Sequence, residues 1–163
     1  MEEYNMEEKT QNKVKEKSEA KVAGSLLVVI RIHGMVKVKS DVAETLDRLR
    51  LRRKYACVLV DSKDVVKMGM LKRVKQFVAF GFVNDKMLKE LVKARGMMVD
   101  KSDVDADKVV KGLLEGKSLS DLKLKPFFRL HPPRKGIKSK LHFPKGVLGD
   151  NGKKINDLVG RML

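Results

Sequence analysis

The stretch that decides this fold is Leu26-Leu27-Val28-Val29-Ile30-Arg31-Ile32, an apolar run of strand length that Gly34 closes. Most of its members are β-branched, and a short run of this kind bounded by a turn residue is typical of a buried β-strand. A buried strand needs neighbours on both sides and cover on its faces. The residues on either side of it therefore decide which architecture is built around it.

The chain beyond this strand predicts a helix, a second strand and a second helix. Ser40 can cap a helix that runs to about Arg53, and a second apolar strand follows at residues 56–60 before Asp61. Beyond a loop, apolar side chains recur at helical spacing. The positions that predict this second helix are Met70, Leu71, Val74, Phe77 and Val78.

The rest of the chain is divided by composition into a tail, an insertion and a closing segment. Residues 1–23 mix acidic and basic side chains with almost nothing to build a core, which predicts a disordered or loosely helical tail. Residues 24–83 hold the core strands and helices. Residues 84–125 contain two short amphipathic patterns, interpreted as a helical insertion that packs on the core because neither helix would be stable alone. Residues 126–163 are expected to hold the last core strand, a basic loop and a C-terminal helix.

The charge balance points to a polyanionic partner. Lys and Arg number 37 against 21 acidic residues, a formal net charge of +16. No apolar stretch approaches the roughly 18 residues that cross a bilayer, and the first residues lack the layout of a signal peptide. The single cysteine cannot form an intramolecular disulfide. We therefore expect a cytoplasmic protein that binds nucleic acid and not a membrane.

The most concentrated positive charge lies between residues 123 and 145, where eight basic residues occur with no acidic one. Pro132 and Pro133 stand side by side there and Gly136 follows, so the segment is predicted to be an extended loop and not a helix face. Such a loop can follow the irregular phosphate path of a folded RNA. A merely solvated basic loop is the alternative.

Two helix surfaces add to this charge. The first helix ends in a basic run, and the second carries basic residues opposite its apolar stripe. Gly69 is predicted near the start of the second helix, where a missing side chain would let a phosphate approach free N–H groups, although a turn requirement explains it as well. The predicted RNA-binding residues are Arg31, Lys37, Lys39, Arg50, Arg52, Arg53, Lys67, Gly69, Lys72, Arg73, Lys75, Arg129, His131, Arg134, Lys135, Lys138 and Lys140.

Motifs for catalysis, metals and cofactors do not occur in the sequence. Three histidines and one cysteine form no metal-ligand spacing, and no glycine-rich phosphate loop is present. Cys57 lies inside an apolar strand, which favours a buried, inert thiol. His131 is better suited to stacking or hydrogen bonding with RNA, or to plain packing, than to acid–base chemistry. No cofactor, no metal and no enzymatic activity are expected.

Four stretches of this chain resemble a known family. They are Arg31-Ile32-His33-Gly34 leading into Thr45-Leu46-Asp47-Arg48-Leu49-Arg50-Leu51; Gly69-Met70-Leu71-Lys72-Arg73-Val74-Lys75 with Val78-Ala79-Phe80-Gly81 behind it; Phe128-Arg129-Leu130-His131-Pro132-Pro133-Arg134-Lys135-Gly136; and Gly152-Lys153-Lys154-Ile155-Asn156-Asp157-Leu158 with Arg161-Met162-Leu163. The chain resembles large-subunit ribosomal protein number thirty in its long archaeal form, which the eukaryotic protein number seven also follows.

The resemblance implies a fold of the α+β class. The expected fold is a small ferredoxin-like β-α-β-α-β domain, two helices on a three-stranded sheet, with a helical insertion before the last strand and a C-terminal helix. It also implies a structural place in the large ribosomal subunit and no catalytic site. The partners implied are large-subunit rRNA, 5S rRNA and neighbouring large-subunit ribosomal proteins. Bacterial members lack the insertion and eukaryotic members carry a longer basic arm, so an archaeal source is favoured.

Two other hypotheses fit the same residues. A transient RNA-processing or RNA-chaperone factor on ribosomal precursor particles would need a similar basic surface. Duplex DNA would also attract so basic a chain.

Overall fold

The computed structural model describes residues 26–99 and 104–163, and the predicted tail of residues 1–23 lies outside them. Five strands and five α-helices occur in these ranges. In chain order they are β1 (Leu26–Arg31), α1 (Ser40–Arg48), β2 (Ala56–Asp61), α2 (Val65–Val74), β3 (Val78–Phe82), α3 (Asp85–Arg95), α4 (Ala106–Leu114), β4 (Phe128–Arg129), β5 (Gly149–Asp150) and α5 (Ile155–Gly160), with a 3-10 turn at Gly152–Lys154 before α5.

The strands form one sheet in the order β4-β2-β1-β3-β5, with β1 at its centre. Both β2 and β3 run antiparallel to β1, and the two-residue strands β4 and β5 extend the edges, β4 antiparallel to β2 and β5 parallel to β3. The apolar run that begins at Leu26 is thus the central strand. The predicted α+β class and its ferredoxin-like core are confirmed.

Alternate side chains of β1 point to opposite faces of the sheet, and both faces are covered. Leu27 and Val29 pack with α1 and α2 on one face. Val28 and Ile30 pack on the other face with α3, α4 and α5. Burying an aliphatic side chain in either layer stabilises the fold by about 1.5–3 kcal/mol.

The two helices of the predicted insertion form most of the second layer. Leu88 and Leu91 of α3, with Val109 and Leu113 of α4, are buried in the same cluster as the sheet residues. A nine-residue helix such as α4 is marginal in water by itself, so this packing supplies its stability. The sheet consequently has no open face among the described residues.

The structure corrects the number of strands and the extent of the two helices in the expected core. The sheet has five strands and not three. Its third long strand is Val78–Phe82, although the helical spacing predicts that part of it belongs to the second helix. That helix begins at Val65 and ends at Val74, and the first helix ends at Arg48 and not near Arg53. Short apolar runs fit a helix face and a buried strand equally well, which explains the wrong assignment of residues 77–78.

Because the third long strand is Val78–Phe82, the helical insertion follows the core in the chain and does not interrupt it. The β-α-β-α-β core is complete at Phe82, so the two insertion helices follow it, and the expected last core strand contributes only Phe128–Arg129 at the sheet edge. Gly81 lets β3 approach the C-terminal segment closely. A Cβ atom there would lie 2.2 Å from the carbonyl oxygen of Gly152.

Candidate nucleic-acid interface

Four loops meet at one end of the sheet. Ile30 near the end of β1 faces Cys57 near the start of β2, Arg31 faces Val78 at the start of β3, and Ala56 faces Arg129 at the end of β4. The loops that continue from these strand ends therefore share this end, which we call the basic end. It comprises residues 32–39, 49–55, 75–77 and 130–140.

The basic end concentrates positive charge without acidic neighbours in its own loops. Its four loops contribute two, four, one and four Lys or Arg residues respectively, and no Asp or Glu. At the opposite end of the sheet, β2 ends at Asp61, and the connection to α2 contains Asp64 beside Lys63. The molecule is thus electrically asymmetric along its strands, with one end suited to a polyanion.

Arg31 occupies the interior of this end and not its surface. Only 1% of the residue is exposed. Its guanidinium donates to the carbonyl oxygens of His33 (2.8 Å), Gly34 (2.8 Å), Leu51 (2.7 Å) and Arg52 (3.1 Å). Burial lowers the pKa of this guanidinium. The predicted direct contact of Arg31 with RNA does not agree with this placement, because its donors already tie two loops together.

The loop after α1 presents its charges from a constrained backbone. Arg50 and Tyr55 both adopt the left-handed conformation, with φ of 60° and 64°, which costs non-glycine residues free energy. Arg52 pairs with Asp47 at the end of α1. The loop's exposed basic side chains are Arg50, Arg52, Arg53 and Lys54.

A groove of about 710 Å³ runs between this loop and β4. We call it the aromatic groove because two rings line it among the cations. The Lys54 ammonium lies 4.8 Å from the centre of the Tyr55 ring, and the Arg129 guanidinium lies 5.8 Å from the centre of the Phe127 ring. Asp47 is the one acidic side chain that lines it.

The basic loop at 130–140 is anchored to the residues that directly follow the C-terminal helix. His131 and Arg134 donate their backbone N–H groups to the carbonyl oxygens of Met162 and Arg161, each at 2.9 Å. Pro133 is buried and Ile137 packs against the core. The backbone of this loop is therefore more restrained than that of an extended basic segment without such contacts. Its exposed polar side chains include His131, Arg134, Lys135, Lys138 and Lys140.

His33 lies within the electrostatic influence of both the basic loop and the loop after α1. Its pKa is lowered, first by partial burial and then by the positive charges of Lys140, Lys54 and Arg31. The Phe77 ring lies edge-on to the imidazole at 5.7 Å between centres. Cations from three separate segments therefore act on one imidazole at this end.

Comparison with known proteins identifies the family. The model of the family "Ribosomal protein L30p/L7e" matches residues 27–78. The large ribosomal subunit protein uL30 of Archaeoglobus fulgidus is 40% identical over 152 residues, covering 84% of this chain and 99% of that protein. The uL30 proteins of Nanoarchaeum equitans and Methanobrevibacter smithii are each 35% identical, over 155 and 153 residues, with 85% of this chain covered in both. The chain belongs to the L30p/L7e family.

The L30p/L7e match contains three of the four loops of the basic end. It runs from β1 to the first residue of β3 and so includes residues 32–39, 49–55 and 75–77. Lys37 and Lys39 lie exposed in the first of these loops, and Lys75 in the third. The basic loop at 130–140 follows the matched segment and is brought to it by the fold.

In this L30p/L7e chain, the second helix offers fewer unpaired basic side chains for RNA binding than its sequence suggests. Lys67 lies one turn into α2, near the opposite end of the sheet, and pairs with Asp64 at 3.0 Å. Arg73 lies 3.4 Å from Asp41 of α1. Lys72 is exposed, with no ion pair in the part of the chain that the structure describes.

The predicted role of Gly69 is wrong in its geometry. Gly69 is the fifth residue of α2 and not near its first free N–H groups, and interior N–H groups bond the carbonyl four residues earlier. The carboxylate of Asp64 already accepts the N–H of Lys67 at the true start of the helix. The shallow pocket beside Gly69 is lined by the acidic side chains of Asp41 and Glu44 and by Arg73 and Arg48, which pair with them. The charges of this pocket are therefore already paired with one another.

Sequence reasoning missed the two rings of the aromatic groove. Tyr55 follows directly on a basic run, and Phe127 stands two residues before Arg129. Aromatic residues next to basic ones are a known feature of single-stranded nucleic-acid sites. That signal was present in both places, but the segments are far apart in the chain and meet only through the pairing of β2 with β4.

In residues 26–99 and 104–163, no group of three His, Cys, Asp or Glu side chains is arranged to hold a metal ion. Within those residues, no helix has the length and apolar character that spanning a bilayer requires.

Proposed function

We propose that this chain is a structural constituent of the large ribosomal subunit and binds rRNA through the basic end. The observation that carries the proposal is the collection of eleven Lys and Arg residues, without an acidic residue, in four loops at one end of the sheet. Its L30p/L7e relatives are named large ribosomal subunit proteins, which fits such a surface.

The physical basis is the neutralisation of phosphate by cations held in fixed positions. Arg31 ties the loops at 32–39 and 49–55 together, and the residues that directly follow the C-terminal helix hold the loop at 130–140. Pre-ordered side chains lose less conformational entropy on binding. Release of counterions from the RNA then supplies affinity that falls steeply with salt.

The proposal includes the partners of the chain and excludes catalysis. We place it in the cytoplasm on the ribosome, in contact with large-subunit rRNA, with 5S rRNA and with neighbouring large-subunit proteins. The Cys57 thiol is fully buried and burial raises its pKa, so it is a poor nucleophile. No chemical step is assigned to the chain.

Reversal of charge in the basic loop tests the proposal. The double variant Arg134→Glu, Lys135→Glu should lose binding to large-subunit rRNA and sediment apart from large subunits in a low-salt gradient. The control is Lys108→Glu, Lys111→Glu on α4, where Lys108 already pairs with Asp105 at 2.6 Å. Equal loss in both variants would contradict the basic end as the main contact. Wild-type protein found on precursor particles but absent from mature subunits would contradict a structural role.

A further inference from the structure

The aromatic groove differs from the loop at 130–140 because it offers Phe and Tyr rings as well as charge. Neutralising phosphate requires only cations, and the loop at 130–140 provides them without a Phe, Tyr or Trp side chain. The groove instead combines five exposed arginines and a lysine with the part-exposed rings of Tyr55 and Phe127. Its chemistry therefore matches a ligand that has both an anionic group and a flat, stackable one.

An unpaired nucleotide is such a ligand. Within a paired RNA helix the base faces are stacked on one another, and side chains reach mainly phosphates and 2′-hydroxyl groups. A base in a bulge, loop or strand end can instead stack on an aromatic ring. We propose that the aromatic groove takes one unpaired nucleotide of the bound RNA, with its base against Phe127 or Tyr55 and its phosphate between Arg50, Arg53 and Arg129.

This inference rests on the proposed function, since it names the part of the RNA that one region of the basic end selects. The size of the groove agrees with it. About 710 Å³ lies within the roughly 300–1,000 Å³ typical of sites for small ligands. The Arg52 charge is already balanced by Asp47, which leaves Arg50, Arg53 and Arg129 without an ion-pair partner in the described ranges.

The backbone that carries the Tyr55 ring is held in place before any ligand arrives. The backbone N–H of Tyr55 donates to the carbonyl oxygen of Arg31 at 2.7 Å, and its own carbonyl accepts the N–H of Leu130 at 3.1 Å. Tyr55 thus bridges β1 and the end of β4 in a left-handed conformation that glycine would adopt with less strain. Part of each ring packs on the apolar core. Little conformational freedom is left for a stacking base to remove.

The affinities for two matched hairpins test the inference. One RNA hairpin carries a single unpaired adenosine and the other is the same hairpin without it. Wild-type protein should bind the first more tightly in fluorescence anisotropy at fixed salt. Phe127→Leu should weaken binding to the bulged hairpin about tenfold and leave binding to the paired hairpin unchanged. Phe127→Tyr, which keeps the ring, should keep the preference.

Phe82→Leu is the matched control. Phe82 is an exposed ring on β3, opposite Leu27 and so at the far end of the sheet from the groove. Its substitution should leave both affinities unchanged. Equal affinity of wild-type protein for the two hairpins, or an equal loss from Phe82→Leu and Phe127→Leu, would overturn the inference.

A cross-link gives a second answer that needs no variant. With 4-thiouridine at the unpaired position, irradiation should attach the RNA to peptides that contain Tyr55 or Phe127. Attachment confined to the loop at 130–140 would overturn the inference while leaving phosphate binding by the basic end intact. Failure of wild-type protein to bind either hairpin at low salt would count against the proposed function as well.

Discussion

The guanidinium of Arg31 donates a hydrogen bond of 2.7 Å to the carbonyl oxygen of Leu51, so the end of the central strand holds the loop that follows the first helix. The same guanidinium reaches Arg52 on that loop and two carbonyls of the loop after β1. One buried cation therefore orders two of the four loops that form the basic end. Under the proposed function, it would act on RNA binding through the exposed residues that it positions.

Loss of Arg31 should cost both stability and affinity. Arg31→Leu removes the donor from four carbonyl oxygens, of which that of Leu51 is in a buried hydrogen bond and the other three are in part-buried ones. An unsatisfied buried polar group costs about 1–3 kcal/mol. We expect the free energy of unfolding in urea to fall by about 1–3 kcal/mol. Arg31→Lys should recover only part of this, because an ammonium cannot reach four acceptors with the geometry of a guanidinium.

The matched control for Arg31 is Arg53→Gln. Arg53 is exposed in the loop that Arg31 holds, and surface substitutions usually change stability by less than about 0.5 kcal/mol. Arg53→Gln should weaken rRNA binding with no change in the urea midpoint. A stable, fully binding Arg31→Leu variant would show that the four hydrogen bonds do not position the loops.

The salt dependence of binding should separate the two ends of the sheet. If Lys138 contacts a phosphate, Lys138→Gln should lower the slope of log affinity against log salt by about 0.7–0.9 in magnitude. Lys67→Gln should leave the slope unchanged, because Lys67 pairs with Asp64 near the opposite end. Anisotropy titrations with one rRNA fragment at several salt concentrations measure both. A larger change from Lys67→Gln than from Lys138→Gln would show that the RNA binds at the opposite end of the sheet and not at the basic end.

Local patterns predicted the central strand and the class of the fold well. The apolar run from Leu26 needs no distant information to be a buried strand, and its alternation fits a sheet covered on both faces. The strand at 78–82 could not be separated from a helix, because Phe77 and Val78 continue the spacing of α2. Only its pairing with β1 shows that this segment is a strand.

The candidate site was harder to predict because charge alone does not reveal burial. Arg31 and Lys138 are both basic residues in the sequence, yet the carbonyls that hold Arg31 include two that lie 20 and 21 residues away. The pairing of Lys67 with Asp64 is local and could have been predicted from spacing three along a helix. The aromatic groove depends on the β2–β4 pairing and could not have been found without the fold.

Alanine at two glycines should have opposite effects. Gly69→Ala puts a methyl group into open space within α2 and should stabilise the protein by about 0.5–1 kcal/mol, because glycine is a poor residue in a helix interior. Gly81→Ala should destabilise it by at least about 1–3 kcal/mol, since the new Cβ would lie 2.2 Å from a backbone oxygen. Thermal unfolding measures both changes. Reduced rRNA affinity in a stabilised Gly69→Ala variant would restore the rejected idea of a phosphate at Gly69.

The stability of the folded chain should fall as the pH drops through the range in which His33 takes up a proton. The pKa of His33 is lowered in the folded state, first by burial and then by nearby cations, so the unfolded chain binds that proton more readily. The contribution of neutral His33 is therefore complete above its unfolded pKa of about 6.5 and is lost as the pH falls toward the folded value. Urea unfolding at several pH values between 7.5 and 5 should show a decline that His33→Gln makes shallower. An identical pH profile in that variant would show that His33 does not cause the decline. Bound rRNA should reduce the decline in wild type, because phosphate offsets the charges of Lys54 and Lys140.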